Sequence, residues 1–146
     1  MKKAAWLFCA LFLLLILPAC MTSPSASLDG QHWKLRSVQQ NSGSGEIVAC
    51  SAEYQNSYPG AALLELSCSF TKDSIIISNG DKSWNGSYRL TNHGPEASMY
   101  DLDFGDGKNT YAVCGTTKYY DGVESYTEGT LIVSSEEYIV YFVPSD

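Results

Sequence analysis

Apolar residues in this chain recur at every second position in short runs. Trp33 and Leu35 alternate with Lys34 and Arg36, and Leu64, Leu66, Cys68 and Phe70 alternate with Glu65, Ser67 and Ser69. Trp84, Gly86, Tyr88 and Leu90 alternate with Asn85, Ser87, Arg89 and Thr91, while Tyr100, Leu102 and Phe104 alternate with Asp101 and Asp103. Period two sends successive side chains to opposite faces of a strand, so each run has one apolar and one wet face. The pattern predicts strands over 31–38, 46–51, 62–70, 73–78, 83–91, 97–104, 109–115, 128–134 and 137–143. Between them lie turn clusters such as Ser78-Asn79-Gly80-Asp81, Gly105-Asp106-Gly107 and Tyr120-Asp121-Gly122. Asn-Gly and Asp-Gly supply the positive φ that tight hairpins need. The run from Tyr138 to Val143 is apolar on both faces. Such a strand must be covered on both sides or paired at a closing seam, because an exposed two-faced edge invites aggregation. Past the N-terminal segment no 3.6-residue period is sustained, and the one helical candidate is a turn or two near 51–58. The predicted fold is all-β, a small antiparallel barrel or tight sandwich of about eight or nine short strands.

The N-terminal segment reads differently. Met1-Lys2-Lys3 is basic, Trp6 to Leu17 is apolar, and Leu17-Pro18-Ala19-Cys20 closes the segment. About 12 apolar residues are too few for a membrane-spanning helix, which needs roughly 20. The closing residues resemble a bacterial lipobox, which implies cleavage before Cys20, lipidation of its thiol and a diacyl or triacyl (palmitate-type) anchor. Residues 1–19 are then a lipoprotein signal peptide, 20–28 a flexible tether, 29–143 one β domain and 144–146 a tail. Met21 rather than Asp follows the cysteine. By the same resemblance, this favours the outer membrane of a bacterial envelope.

Charge narrows the partners. The chain of 146 residues carries 9 basic and 16 acidic residues, a formal charge of −7. With Lys2 and Lys3 set aside, seven basic residues face sixteen acidic ones, a charge of −9. So acidic a surface argues against nucleic acid and against docking on anionic lipid, and it suits a basic protein partner or simple solubility. Beyond Cys20, the cysteines at Cys50, Cys68 and Cys114 would lie in an oxidising compartment. A bridge is expected between two of the three, with Cys50–Cys68, Cys68–Cys114 and Cys50–Cys114 all open, and Cys68 is alternatively a buried thiol.

Candidate chemistry is sparse. Asp101, Asp103 and Asp106 have a calcium-like look, but the EF-hand pattern fails at Gly105 and at Ala112, where a closing Glu is required. His32 and His93 have no nucleophile at a suggestive spacing, and Glu136-Glu137 reads as a solvated turn. No catalytic residue, metal ligand or cofactor is assigned, and a non-enzymatic role is expected. The ten tyrosines crowd toward the C-terminal third. The expected binding surface is an exposed loop carrying Tyr119, Tyr120, Asp121, Glu124 and Tyr126, because tyrosine buries area while its hydroxyl stays hydrogen-bonded.

Leu28-Asp29-Gly30-Gln31-His32-Trp33-Lys34-Leu35 resembles the opening of lipocalin-like and META-domain lipoproteins. Leu66-x-Cys68-x-Phe70-Thr71-Lys72-Asp73 followed by Trp84-Asn85-Gly86-Ser87-Tyr88 resembles their middle hairpin. The Gly-Cys-Asn step common in META domains is absent, which leaves the likeness at the level of the barrel. The resemblance implies no catalytic residues. The acidic charge and the tyrosine-rich loop lead to the expectation of a lipid-anchored protein that binds another protein as inhibitor, immunity or assembly factor; the alternatives are a carrier of a small apolar ligand and a structural envelope lipoprotein. The inward aromatics Trp33, Phe70, Trp84, Tyr88 and Phe104 would plug the barrel and weigh against the carrier.

Overall fold

The computed structural model describes residues 27–146; the expected leader, most of the tether and Cys20 lie outside the described residues. Ten strands follow in order: β1 (His32–Gln40), β2 (Ile47–Cys50), β3 (Ala62–Leu63), β4 (Ser67–Phe70), β5 (Ser74–Ser78), β6 (Ser83–His93), β7 (Ala97–Asp103), β8 (Thr110–Tyr120), β9 (Ser125–Ser134) and β10 (Tyr138–Pro144). A single 3-10 turn, Ala52–Tyr54, lies between β2 and β3 where the helical candidate was expected. Strands β4 to β10 form an antiparallel meander, and β1 pairs with both β4 and β10. The result is a closed barrel of eight strands with β2 and β3 as extra strands, so the all-β barrel expected from the alternation is the fold.

The two-faced apolar strand is the seam. β10 pairs with β9 from Ile139↔Ser134 to Phe142↔Leu131 and with β1 from Trp33↔Pro144 to Gln40↔Tyr138. Both of its edges are therefore spent, and closure removes the hazard of an open apolar edge.

β1 forks the wall. Its lower half pairs with β4 (Trp33↔Cys68) and its upper half with β2 (Ser37↔Cys50). The register shifts between Leu35 and Ser37, a bulge that carries the inward face from Leu35 to Val38. The single strand expected over 62–70 is divided by this fork. Leu64 N–H donates to the Cys50 carbonyl, and Leu35 N–H donates to the Leu66 carbonyl. The segment thus leaves the edge of β2 and joins that of β1, bending at Leu64–Leu66.

The lower half of the barrel is filled. Leu28, Trp33, Phe70, Ile75, Tyr100, Leu131 and Phe142 are buried in one cluster. Phe70, Tyr88 and Tyr100 stack edge to face, with ring centroids 5.2 and 5.9 Å apart. The Tyr88 hydroxyl donates to the Thr71 carbonyl, closing the bottom turn. Leu28, grouped with the tether by composition, is fully buried in this plug.

No disulfide forms among the described residues, which corrects the expected bridge: Cys50, Cys68 and Cys114 are buried free thiols. Cys50 and Cys68 sit opposite Ser37 and Trp33 on the same edge of β1. At roughly 3.3 Å per residue that is about 13 Å, beyond the roughly 7 Å a bridge can span. Cys114 on β8 lies four strands from Cys68 in a ring of eight, on the opposite wall of the core. Proximity in sequence or on one inward face is not proximity of sulfurs once the sheet closes.

Candidate functional site

The turns 41–46, 79–82, 104–109 and 135–137 gather at the upper end of the barrel. Below them the interior is open, a cavity of about 570 Å³. This lies within the roughly 300–1,000 Å³ typical of small-molecule sites. The expectation that inward aromatics fill the interior therefore holds only for the lower half. Trp84 and Phe104 stand at the cavity wall, and Trp84 is 46% exposed.

The walls are aliphatic: Val38, Val48, Ala49, Leu64, Leu66, Ile77, Val133 and Val140. Three of these come from the fork. Val48 and Ala49 lie on β2, and Leu64 lies on the segment that leaves it. Among the described residues no ladder joins β2 or β3 to β4 or β5. Side chains from the two branches close the upper wall there instead of a hydrogen-bonded strand. The large aromatics Trp33, Phe70 and Tyr100 pack in the lower half, and smaller aliphatic side chains line the upper half. Gly86 is part of the same design. A Cβ there would stand 2.7 Å from the Asp103 carbonyl oxygen and 2.8 Å from Phe104 Cδ1, so the glycine lets the Phe104 ring lie against the wall.

Charge is confined to the rim. Asp106 and Lys108 come from the turn after β7, and Glu136 and Glu137 from the turn before β10. Lys108 Nζ is 3.4 Å from Glu137 Oε1. Asp106 Oδ1 accepts the Lys108 backbone N–H, and Asp103 Oδ1 accepts that of Gly105. Asp101 pairs with Arg89 at 2.8 Å. The three aspartates with a calcium-like look are thus committed to a turn and an ion pair.

The expected tyrosine loop is not a loop. β8 and β9 continue past the barrel as a paired hairpin, with Tyr119 opposite Tyr126 and Tyr120 opposite Ser125. The turn is 121–124, where Gly122 takes φ +95°. Asp121 Oδ1 accepts the N–H groups of Val123 and Glu124, each at 2.8 Å, and these bonds hold the Asp121 pKa below its ordinary value. The candidate residues divide into two groups. Tyr120, Asp121 and Glu124 are exposed at the tip, whereas Tyr119 and Tyr126 turn onto Arg36.

Arg36 breaks the alternation. Alternation put it on the wet face, but it is 4% exposed. Its guanidinium lies 3.7 Å from the Tyr119 ring centroid and 4.4 Å from that of Tyr54. Nε donates to the Tyr58 hydroxyl at 3.3 Å, Nη1 to Glu128 Oε2 at 3.0 Å and Nη2 to the Tyr126 hydroxyl at 3.2 Å. Burial opposes its charge, yet the hydrogen bonds to Tyr126 and Tyr58 outweigh that cost and raise its pKa. The spacing Trp33, Leu35, Val38 was the available signal: an apolar parity that slips by one marks a bulge, and here the bulge carries Arg36. Arg36 ties the crossover 51–61 and the β8–β9 arm to the outside of β1. Lys34 and Glu53 add a pair at 2.8 Å.

Two of the thiols, Cys68 and Cys114, are chemically quiet. Burial pushes Cys68 up to about 12 and Cys114 up to about 11. Both are therefore protonated at neutral pH and weak as nucleophiles. No family model, characterised protein or solved structure matches this chain, so the site is read from its own geometry.

Proposed function

We propose that this chain is a carrier of small, largely aliphatic molecules, taken up in the open mouth of the barrel while lipid on Cys20 holds the protein at a bacterial envelope membrane. One observation carries the reading: the aliphatic cavity of about 570 Å³ in the upper half of an otherwise plugged barrel. Empty apolar walls in water are unfavourable, and burying an aliphatic chain there gains about 0.8 kcal/mol per methylene. Trp84 at the mouth provides the test. Titration with a single-chain aliphatic alcohol should give a saturable change in Trp84 emission and a rise in melting temperature. The stabilisation expected at a hundredfold excess over Kd is about 2.7 kcal/mol. Val140→Phe should weaken binding with the fold intact, and Trp84→Phe should remove the optical signal. Absence of saturable binding in the wild-type chain would refute the reading. For the anchor, Cys20→Ser should release the protein from the membrane fraction; a variant that stays bound overturns it.

The alternative of protein recognition has one specific support. The hairpin tip exposes Tyr120 at 70% and Val123 at 82% on a paired, turn-locked scaffold. A basic partner captured by the wild type and lost with Tyr120→Ser/Val123→Ser would support it. Equal capture by the variant would remove the tip as its docking element.

A further inference from the structure

The charge around the mouth bears on what kind of molecule the cavity accepts, an inference that rests on the carrier reading. The walls supply no charge. The charged lining residues, Asp106, Lys108, Glu136 and Glu137, all lie on two rim turns. Lys108 is drawn to Glu137, 3.4 Å away, and Glu136 makes no ion pair among the described residues. Among the lining residues, three carboxylates against one ammonium give a net charge of −2. The surroundings have the same sign, since the sequence beyond Lys3 has sixteen acidic and seven basic residues. Local and global fields therefore add at the place where a bound chain would present its head.

We infer that the ligand is a single-chain amphiphile whose head is cationic, an alkyl amine or quaternary ammonium, and that fatty carboxylates are discriminated against. The aliphatic tail lies between Val48, Leu64, Ile77 and Val140. The head sits at the turn carrying Glu136 and Glu137, where water still reaches it. Twelve carbons, at roughly 30 Å³ for each water-sized group, fit within the 570 Å³. A carboxylate head would meet like charge at the same spot, with one already-paired lysine to offset it.

The experiment compares three twelve-carbon probes by calorimetry on the full chain: dodecyltrimethylammonium and dodecanoate below their micellar concentrations, and dodecanol below its solubility limit. At low salt the cation should bind about tenfold or more tighter than the carboxylate, the scale of a unit charge meeting an opposite charge near a protein surface. Dodecanol should fall between them. The ratio should shrink toward one as salt screens the rim. Glu136→Gln/Glu137→Gln should lower the cation-to-carboxylate ratio toward one, through weaker cation binding and tighter carboxylate binding. Equal or tighter binding of the carboxylate overturns the proposal, as does a ratio unmoved by the rim variant. Cation affinity left undiminished by Val140→Phe or by Leu64→Trp also overturns it, because the cation is then held by the acidic surface at large. Failure of dodecanol to bind refutes the carrier reading itself, whereas binding of dodecanol without head-group discrimination refutes only this inference.

Discussion

Replacing Arg36 by Met keeps much of the aliphatic stem and removes the guanidinium, so it isolates the clamp outside the barrel. The side chains of Arg36 and Glu128 are 5% and 28% exposed. Breaking a buried ion pair by removing one partner costs about 3–5 kcal/mol. Two further losses overlap with that figure: stacking on Tyr54 and Tyr119, at about 0.5–2 kcal/mol each, and the bonds to Tyr58 and Tyr126. Water reaches the orphaned Glu128, which places the expected loss at the lower end, about 3 kcal/mol. For a domain of this size, at about 4 °C per kcal/mol, the melting temperature should fall by about 12 °C. Arg36→Lys keeps the charge but loses the planar fork and should lie between the two. Urea denaturation of wild type, Arg36→Met, Glu128→Gln and the double variant gives the coupling directly, expected at or above about 1 kcal/mol. Amide exchange should accelerate in 52–61 and 116–129 rather than in β4–β7. A loss for Arg36→Met below about 1 kcal/mol, the scale of an exposed surface pair, would refute the claim that this arginine holds the crossover and the arm together.

Other consequences are open to direct measurement. With Cys50, Cys68 and Cys114 all buried as free thiols, a thiol reagent at neutral pH should label none of them in the folded protein and all three after denaturation; a bridge would appear as two missing labels. The burial-raised pKa values of Cys68 and Cys114 keep their neutral form favoured in the fold. Their contribution to stability is full below the ordinary thiol value of 9.0 and is lost as pH rises toward 11 and 12. Tyr88, Tyr100 and Tyr141, also raised by burial, act in the same direction. The urea midpoint should therefore fall between pH 9 and pH 11, and a midpoint that stays flat or rises there contradicts the assignment. Gly86→Ala must displace the Asp103 carbonyl or Phe104 and should cost about 1–3 kcal/mol. A melt unchanged from wild type would show that the ring is not held against that wall.

Much of the barrel was legible in the sequence because alternation and turn chemistry are local. The inward positions Trp33, Cys68, Phe70, Tyr100 and Leu102 follow from period two. The two-faced strand left two placements, cover on both sides or pairing at a closing seam, and the closed barrel takes the second. Asp121-Gly122 marks a tight turn, but local pattern does not separate a protruding loop from a paired hairpin there, because Tyr-rich polar segments pair as well as they protrude. Tertiary structure alone decided what depends on distance across the closed sheet. It set Cys68 and Cys114 on opposite walls, moved Arg36 from the wet face into a ring of tyrosines through one bulge, and split 62–70 at a fork of β1. The cavity belongs to that second group: its lining comes from β1, β2, β5, β6, β8, β9 and β10 and from the segment leaving β3, and their convergence is a property of closure and shear rather than of any one segment.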